Sequence, residues 1–142
     1  MKRLILITVL AFIASAAFCQ STNDIMIGGG LDIIKTDNPG VFERAQVGLE
    51  ANYFVVRHFA VGLGAEIWTD QKSSFMMGAR WYANDNVFVR FRGLIGANDA
   101  SLGAGYAKAL TEYLRIEGMG DFYFASTEFG IRVGLSYVIK RN

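Results

Sequence analysis

Arginines and carboxylates on alternating positions are the residues of this sequence that could do chemistry together. Arginine presents a planar fork of donors that meets carboxylates two at a time, so it suits confined ion pairs better than lysine does. The two sets are Arg44, Arg80, Arg90, Arg92, Arg115 and Arg132, and Asp32, Glu50, Glu66, Glu117, Asp121 and Glu128. Six cations against six acids is the balance that a closed interior requires, because an unpaired buried charge is costly. The predicted interior ion-pair network comprises Glu50, Glu66, Arg80, Arg90, Arg92, Arg115, Glu117, Asp121, Glu128 and Arg132.

Catalytic and cofactor chemistry find little support in the sequence. His58 is the only histidine, and no nucleophile with an orienting acid is visible beside it. The glycine pairs and triplets at 28–30, 62–64 and 103–105 do not continue into a dinucleotide or phosphate-binding motif. With so few histidines and cysteines a transition-metal site is not expected. We predict a protein that is not an enzyme, with no cofactor and no known small-molecule substrate.

The charge balance argues against one class of partner. The chain has 14 Lys+Arg and 13 Asp+Glu, whereas nucleic-acid binding requires a basic face. We therefore expect no nucleic-acid partner.

The first residues predict export. A positive start is followed by an apolar run from Leu4 to Phe12 and a small-residue segment from Ala14 to Ala17, which is the pattern of a secretory signal peptide. The run is too short to cross a membrane comfortably. We predict a signal peptide over 1–19 and a mature domain over 20–142. Cys19 leaves one alternative open, in which it is the lipidated first residue of a lipoprotein.

Strict alternation of apolar and polar residues predicts the elements that position the charges. In the last segment the odd positions from Phe129 to Ile139 are apolar, while Arg132 and Ser136 lie between them. Alternation over this length indicates strands with two chemically different faces. Eight such segments run over 24–35, 42–56, 59–69, 74–83, 86–97, 100–109, 112–125 and 128–140.

Short connections between these segments predict how the strands are joined. Candidate turns are Asp37 to Gly40, Arg57-His58, Asp70 to Ser73, Asn84-Asp85, Asn98-Asp99, Leu110-Thr111 and Ser126-Thr127. Most are rich in residues that favour turns, and short links imply an up-and-down antiparallel meander. An even strand number lets the sheet close and removes its edges. We predict an all-β fold, an eight-stranded antiparallel up-and-down transmembrane β-barrel behind a signal peptide.

Alternation alone does not say which face points inward. A soluble lipocalin-like barrel has its apolar face inside, whereas a membrane barrel has the reverse. Arginines rather than lysines occupy the polar faces, and glycines on those faces leave room in a narrow lumen. Apolar-face aromatics also collect near strand ends, as expected of two girdles at the membrane interfaces. The predicted girdles are Tyr53, Phe59, Trp81 and Tyr137 at one rim, and Phe75, Phe122, Phe124 and Phe129 at the other.

Several stretches also carry a family resemblance. They are Tyr53 to Val55, Phe59 to Gly64, Gly78 to Tyr82, Gly103 to Ala107 and Gly130 to Tyr137. In these the chain resembles the small outer-membrane β-barrel proteins of Bacteroidetes-type bacteria, broadly OmpA- and OmpX-like barrels. The resemblance implies a bacterial outer-membrane location, contact with outer-membrane lipid, and insertion by the barrel assembly machinery. Such proteins often end on an aromatic residue, and here Tyr137 lies five residues before the end.

These observations lead to one functional hypothesis and two alternatives. The hypothesis is a non-enzymatic integral outer-membrane barrel with a structural role in the cell envelope and an interior plugged by salt bridges, because side chains generally fill an eight-stranded lumen. The first alternative is a narrow pore or a transporter of small hydrophobic ligands. The second is a soluble periplasmic ligand-binding barrel of lipocalin type.

Overall fold

Eight β-strands make up the described part of this protein. The computed structural model describes residues 21–35, 46–68 and 73–141. The strands are β1 (Ile25–Lys35), β2 (Gln46–Val56), β3 (Phe59–Trp68), β4 (Ser74–Tyr82), β5 (Val87–Ile95), β6 (Asp99–Ala109), β7 (Leu114–Tyr123) and β8 (Glu128–Ile139). They confirm the predicted all-β class. The expected signal peptide over 1–19, Arg44, the predicted turn at 37–40 and residues 70–72 of the predicted turn at 70–73 lie outside the described residues.

The strands form one closed antiparallel barrel in sequence order, and β1 pairs with β8. Registered partners followed from Ile25 through β2 to β7 arrive at Phe129 of β8. Ile25 itself pairs with Ile139, so the register is displaced by ten residues in one circuit. Such a stagger requires strands tilted by roughly 35–45° from the barrel axis.

Tight turns connect the strands at both ends of the barrel. Residues 57–58, 83–86 and 110–113 form turns at the end where Ser21 and Arg141 lie, which we call the terminal end. Residues 96–98 and 124–127 form turns at the opposite, distal end. These turns agree with the predicted positions, although several strands are one or two residues shorter at an end than the alternation suggested.

Side-chain hydrogen bonds explain why β7 begins later than predicted. Thr111 Oγ1 accepts hydrogen bonds from the backbone amides of Tyr113 at 3.3 Å and Leu114 at 3.0 Å. A hydroxyl that takes up amides in this way holds the backbone in a turn and competes with the strand ladder. Residues 112 and 113 therefore belong to the turn rather than to β7.

The two faces of the sheet differ sharply in chemistry. Side chains at alternate positions point outward and are almost all apolar, as Leu49, Leu63 and Leu135 illustrate with exposures of 62%, 54% and 53%. The intervening side chains fill the lumen and include most of the buried charged residues. This is the reverse of the arrangement in a soluble lipocalin-like barrel, where apolar side chains are inside.

Candidate functional site

The charged side chains in the lumen make contact in a continuous series. At its first end the Arg80 guanidinium lies between two acids: Nη1 is 3.0 Å from Glu117 Oε2, and Nη2 contacts Glu50 Oε1. The second oxygen of Glu50 is 3.2 Å from Arg90 Nη1. Arg90 Nη2 is in turn 2.6 Å from Asp121 Oδ2. Each internal member thus bridges two partners on other strands.

The series continues from Asp121 across the lumen. The same Oδ2 of Asp121 is 3.1 Å from Arg92 Nη2, and Arg92 Nη1 contacts Glu66 Oε1. Glu66 Oε1 is also 3.0 Å from Arg132 Nη2. Arg132 Nε donates to Asp32 Oδ1 at 2.5 Å, which ends the series.

Strict alternation of sign is the property that these contacts share. In order, the members are Glu117, Arg80, Glu50, Arg90, Asp121, Arg92, Glu66, Arg132 and Asp32. We call these nine residues the ion-pair series. No member is more than 9% exposed, and buried charges are tolerated when they are paired and hydrogen-bonded. Opposite charges on both sides supply that pairing at every internal position.

Neutral side chains add hydrogen bonds that sequence reasoning missed. Ser136 donates to Glu117 at 2.8 Å, Asn52 donates to Glu50 at 3.2 Å, and Tyr123 donates to Asp32 at 3.3 Å. Ser101 accepts a hydrogen bond from Arg92 Nε at 3.2 Å. All four lie on the same alternating positions as the charges, so their strand face was predictable. Their partners were not, because partners depend on register.

Glycines on the inner face make room for the long side chains. A Cβ added to Gly30 would lie 2.9 Å from Arg132 Cδ, and one added to Gly48 would lie 2.8 Å from Arg132 Nη1. A Cβ at Gly103 would overlap the Asp121 carboxylate. The ion-pair series therefore occupies volume that other residues at these positions would fill.

Two residues of the predicted network lie at the ends of the barrel. Arg115 is buried near the terminal end, where its Nη1 donates to the Asp85 carbonyl at 3.1 Å. Glu128 is half-buried at the start of β8, near the distal end. Arg44, which the sequence placed on a polar face, is not among the described residues. Asp32 extends the series although it was not in the predicted network.

An apolar cluster fills the lumen toward the terminal end. Its members are Met26, Phe54, Ala60, Tyr82, Phe88, Ala107, Met119 and Val138. Arg80 joins this cluster to the ion-pair series, because its Cζ lies 4.8 Å from the centroid of the Phe88 ring. The interior is therefore not charged along its whole length, which the sequence analysis did not anticipate. The signal was present, since Phe54 and Phe88 share the inward positions of their strands.

A small cavity lies among the charged side chains of the lumen. A cavity of about 10 Å³ borders Gly28, Gly48, Glu50, Arg80 and Arg90. A single water molecule needs about that much room. The described part of the lumen is thus packed rather than open.

Aromatic side chains are exposed near both ends of the outer wall. The eight residues of the predicted girdles are between 37% and 53% exposed. Tyr106 and Tyr113, which the sequence analysis did not include, are also exposed near the terminal end. Among the side chains that the structure describes, tyrosines and a tryptophan dominate that end, whereas the exposed distal aromatics are phenylalanines. Interfacial belts in membranes favour Tyr and Trp, whose rings sit at the level of the lipid headgroups.

The described ranges contain neither a candidate metal-binding cluster nor a helix that could span a membrane. No group of three or more histidine, cysteine or acidic side chains is placed to hold a metal ion among the described residues. In the same part of the chain there is no helix both long and apolar enough to cross a membrane.

Solved structures with the same architecture include both membrane and ligand-bound barrels. A de novo designed transmembrane β-barrel is 15% identical with a TM-score of 0.68, over 85% of this chain and 99% of that one. The N-terminal β-barrel domain of Pseudomonas aeruginosa OprF is 14% identical with a TM-score of 0.63, over 84% and 100%. A redesigned β-barrel, mFAP1, bound to DFHBI is 8% identical with a TM-score of 0.53, over 87% and 97%. At these identities the similarity shows the fold.

Sequence comparisons add no relative. No known protein family matches the chain, and no curated protein is similar to it in sequence.

Proposed function

We propose that this protein is a non-enzymatic integral β-barrel of the bacterial outer membrane, with a structural role in the envelope and a closed interior. The observation that carries the proposal is the distribution of polarity. Paired charges occupy the lumen, and the outer wall is apolar. In water this arrangement would expose a large apolar surface, which soluble monomers rarely do. In a bilayer the same surface is in its preferred environment.

The location in the outer membrane is supported by two further observations. The sequence begins with the pattern of an export signal, and the fold is shared with the OprF N-terminal barrel. With both termini in the periplasm, the turns at 57–58, 83–86 and 110–113 face the periplasm. The terminal end, with its exposed tyrosines and Trp81, then lies at the inner leaflet.

Membrane fractionation combined with gel migration tests the location and the fold. We expect the expressed protein in the outer-membrane fraction, and a folded band that shifts on boiling as the barrel unfolds. A protein that remains in the soluble periplasmic fraction without detergent would support the lipocalin-like alternative and contradict the proposal.

Conductance in planar bilayers tests the closed interior. The ion-pair series, the apolar cluster and the buried side chains of Met76, Leu94 and Tyr123 occupy the described lumen. The cavity beside Glu50 and Arg80 has a volume of about 10 Å³, which is the size of one water molecule. We expect no steady channel from the refolded protein, with a channel-forming porin reconstituted in the same way as positive control. Reproducible single-channel steps would instead support the narrow pore.

An assay for phospholipid hydrolysis tests the absence of enzymatic activity. The lumen residues are engaged with one another, and His58 lies in a turn at the terminal end. We expect no turnover of mixed phospholipids by the refolded protein. Turnover that disappears in His58→Ala would contradict the proposal.

A further inference from the structure

Lys108 is the one charged residue on the outward face among strand positions whose side chains the structure describes. It is the residue before the last of β6, near the terminal end, and it lies opposite Ile116 of β7. It makes no hydrogen bond or ion pair with another described residue. A lysine on the lipid-facing wall is tolerated near an interface, where its ammonium can reach polar groups outside the protein.

A shallow trough on the outer wall begins beside Lys108. Tyr106, two residues earlier on the same face, lies opposite Gly118 of β7. No atom lies within 4 Å of a Cβ added at Gly118, so this part of the wall is open. Ile116 on β7 and Val133 on β8 border the trough, and the Phe129 side chain closes it toward the distal end, where it covers Gly120. The surface at Gly118 is apolar and recessed, and it lies on the distal side of the Lys108 ammonium, which has no partner among the described residues.

Lys140, a second lysine at the terminal end, has a counter-charge within the protein. Its Nζ donates to Glu112 Oε1 at 2.7 Å and lies 5.7 Å from the Tyr113 ring centroid. The hydrogen bond to Glu112 raises the pKa of Lys140. Tyr113 also stacks on Tyr137, with ring centroids 5.9 Å apart. These tyrosines mark headgroup depth, so both lysines lie at that level but only Lys140 has its counter-charge within the described chain.

We propose that Lys108 and the trough at Gly118 bind one anionic glycerophospholipid of the surrounding leaflet. The lipid phosphate meets the Lys108 ammonium, and an acyl chain lies along the recessed wall between Tyr106 and Ile116. A phospholipid can contact both the Lys108 ammonium and the apolar trough. A soluble anion would contact only the ammonium, so the two features together favour a phospholipid. This inference rests on the proposed membrane function.

Native mass spectrometry of the refolded barrel in detergent tests the site. Phosphatidylglycerol and phosphatidylcholine are each added to the protein at increasing concentrations, and the number of molecules of each lipid that remain bound is counted. We expect one phosphatidylglycerol to be preferred, with affinity reduced about fivefold in Lys108→Gln, the change expected for loss of one cation near a membrane surface. Lys108→Arg keeps the charge and is expected to keep the preference. Lys140→Gln removes a cation of the same rim that is already paired and is the matched control.

A second variant tests the trough independently of charge. Gly118→Leu fills the open space on the lipid side and is expected to weaken phosphatidylglycerol binding while the thermal midpoint stays unchanged. Unchanged binding in either Lys108→Gln or Gly118→Leu overturns the site. Displacement of the lipid by excess inorganic phosphate overturns the choice of a phospholipid over a free anion.

Insertion into phosphatidylcholine vesicles separates this inference from the proposed function. If the wild-type protein does not insert, the membrane function itself fails. If it inserts and shows heat-modifiable migration but has no preference for phosphatidylglycerol, only the lipid site is overturned.

Discussion

Arg132 illustrates what a single side chain must satisfy inside this barrel. Its guanidinium bonds to Asp32 and Glu66 on two other strands. Its length is accommodated because Gly30 and Gly48 carry no side chain. The contribution of such a residue is therefore seen best when it is removed, because the acids that it neutralises remain buried.

Arg132→Leu is expected to destabilise the barrel strongly. The change leaves Asp32 and Glu66 short of a cation, and breaking a buried pair by removing one partner costs about 3–5 kcal/mol. Equilibrium unfolding in urea in the presence of lipid vesicles measures the loss. Lys140→Leu, which breaks an exposed pair with Glu112, is the control and should barely move the midpoint. An Arg132→Leu midpoint equal to that of the wild type would contradict an ionised, paired Arg132.

Gly103 and Gly118 provide a matched pair of glycines on opposite faces. Gly103→Ala places a methyl group against Asp121 and the backbone of Gly120, and overpacking of this kind costs about 1–3 kcal/mol. Gly118→Ala places the same group in open space and should be close to neutral. Unfolding free energies of the two variants check this difference. Equal losses would indicate that backbone freedom rather than interior space decides the use of glycine here.

At the scale of the strand, alternation predicts the face of each residue but not its partner. Period two alone places Arg90 and Arg92 on the same face of β5, whereas the choice of that face as the inward one rests on the charge balance and the inward glycines. That Arg80 meets Glu50 and Glu117, 30 and 37 residues away, depends on the register and stagger of the closed barrel. Register is set by how turns and faces fit together around the whole sheet, which no single segment encodes.

Strand ends were less predictable than strand interiors. Side chains that bind backbone amides decide where a ladder stops, and this depends on geometry rather than on hydrophobic period. Asp99 Oδ1 accepts from the amides of Ala100 at 2.7 Å and Ala125 at 2.8 Å, and so joins the two described distal turns. Asp24 accepts from the amide of Ser21 at 2.8 Å at the opposite end. Neither role can be inferred from alternation.

Leu135→Arg tests the lipid-facing side of β8. Leu135 is outward-facing near the centre of its strand and 53% exposed. An arginine on the lipid face at the bilayer midplane costs about 2–4 kcal/mol, so the variant should insert poorly into vesicles. Ala83→Arg, in a turn at the terminal end, is the control for added charge. Insertion of Leu135→Arg with wild-type yield would mean that this face contacts water.

At the scale of the whole molecule, closure determines how uniformly the sheet resists opening. The β1–β8 pair extends over registered positions from Ile25 to Lys35, so the first and last strands are not edges. We expect amide hydrogen exchange in β1 and β8 to be as slow as in β4 and β5. Exchange that is much faster in β1 and β8 would indicate an open sheet, because unpaired edge amides are accessible to solvent.

The linear order of the ion-pair series restricts how this sequence can drift over generations. Among the described residues, an internal member such as Arg92 has its charge partners immediately before and after it in the series, Asp121 and Glu66. A mutation that reverses its sign therefore places like charges on both sides of it, and exchanging it with one neighbour only moves the like-charge contact to the next member of the series. Descendants of this gene that keep the barrel should accordingly keep the sign of each internal position, and should lose an acid and a neighbouring arginine together rather than one at a time.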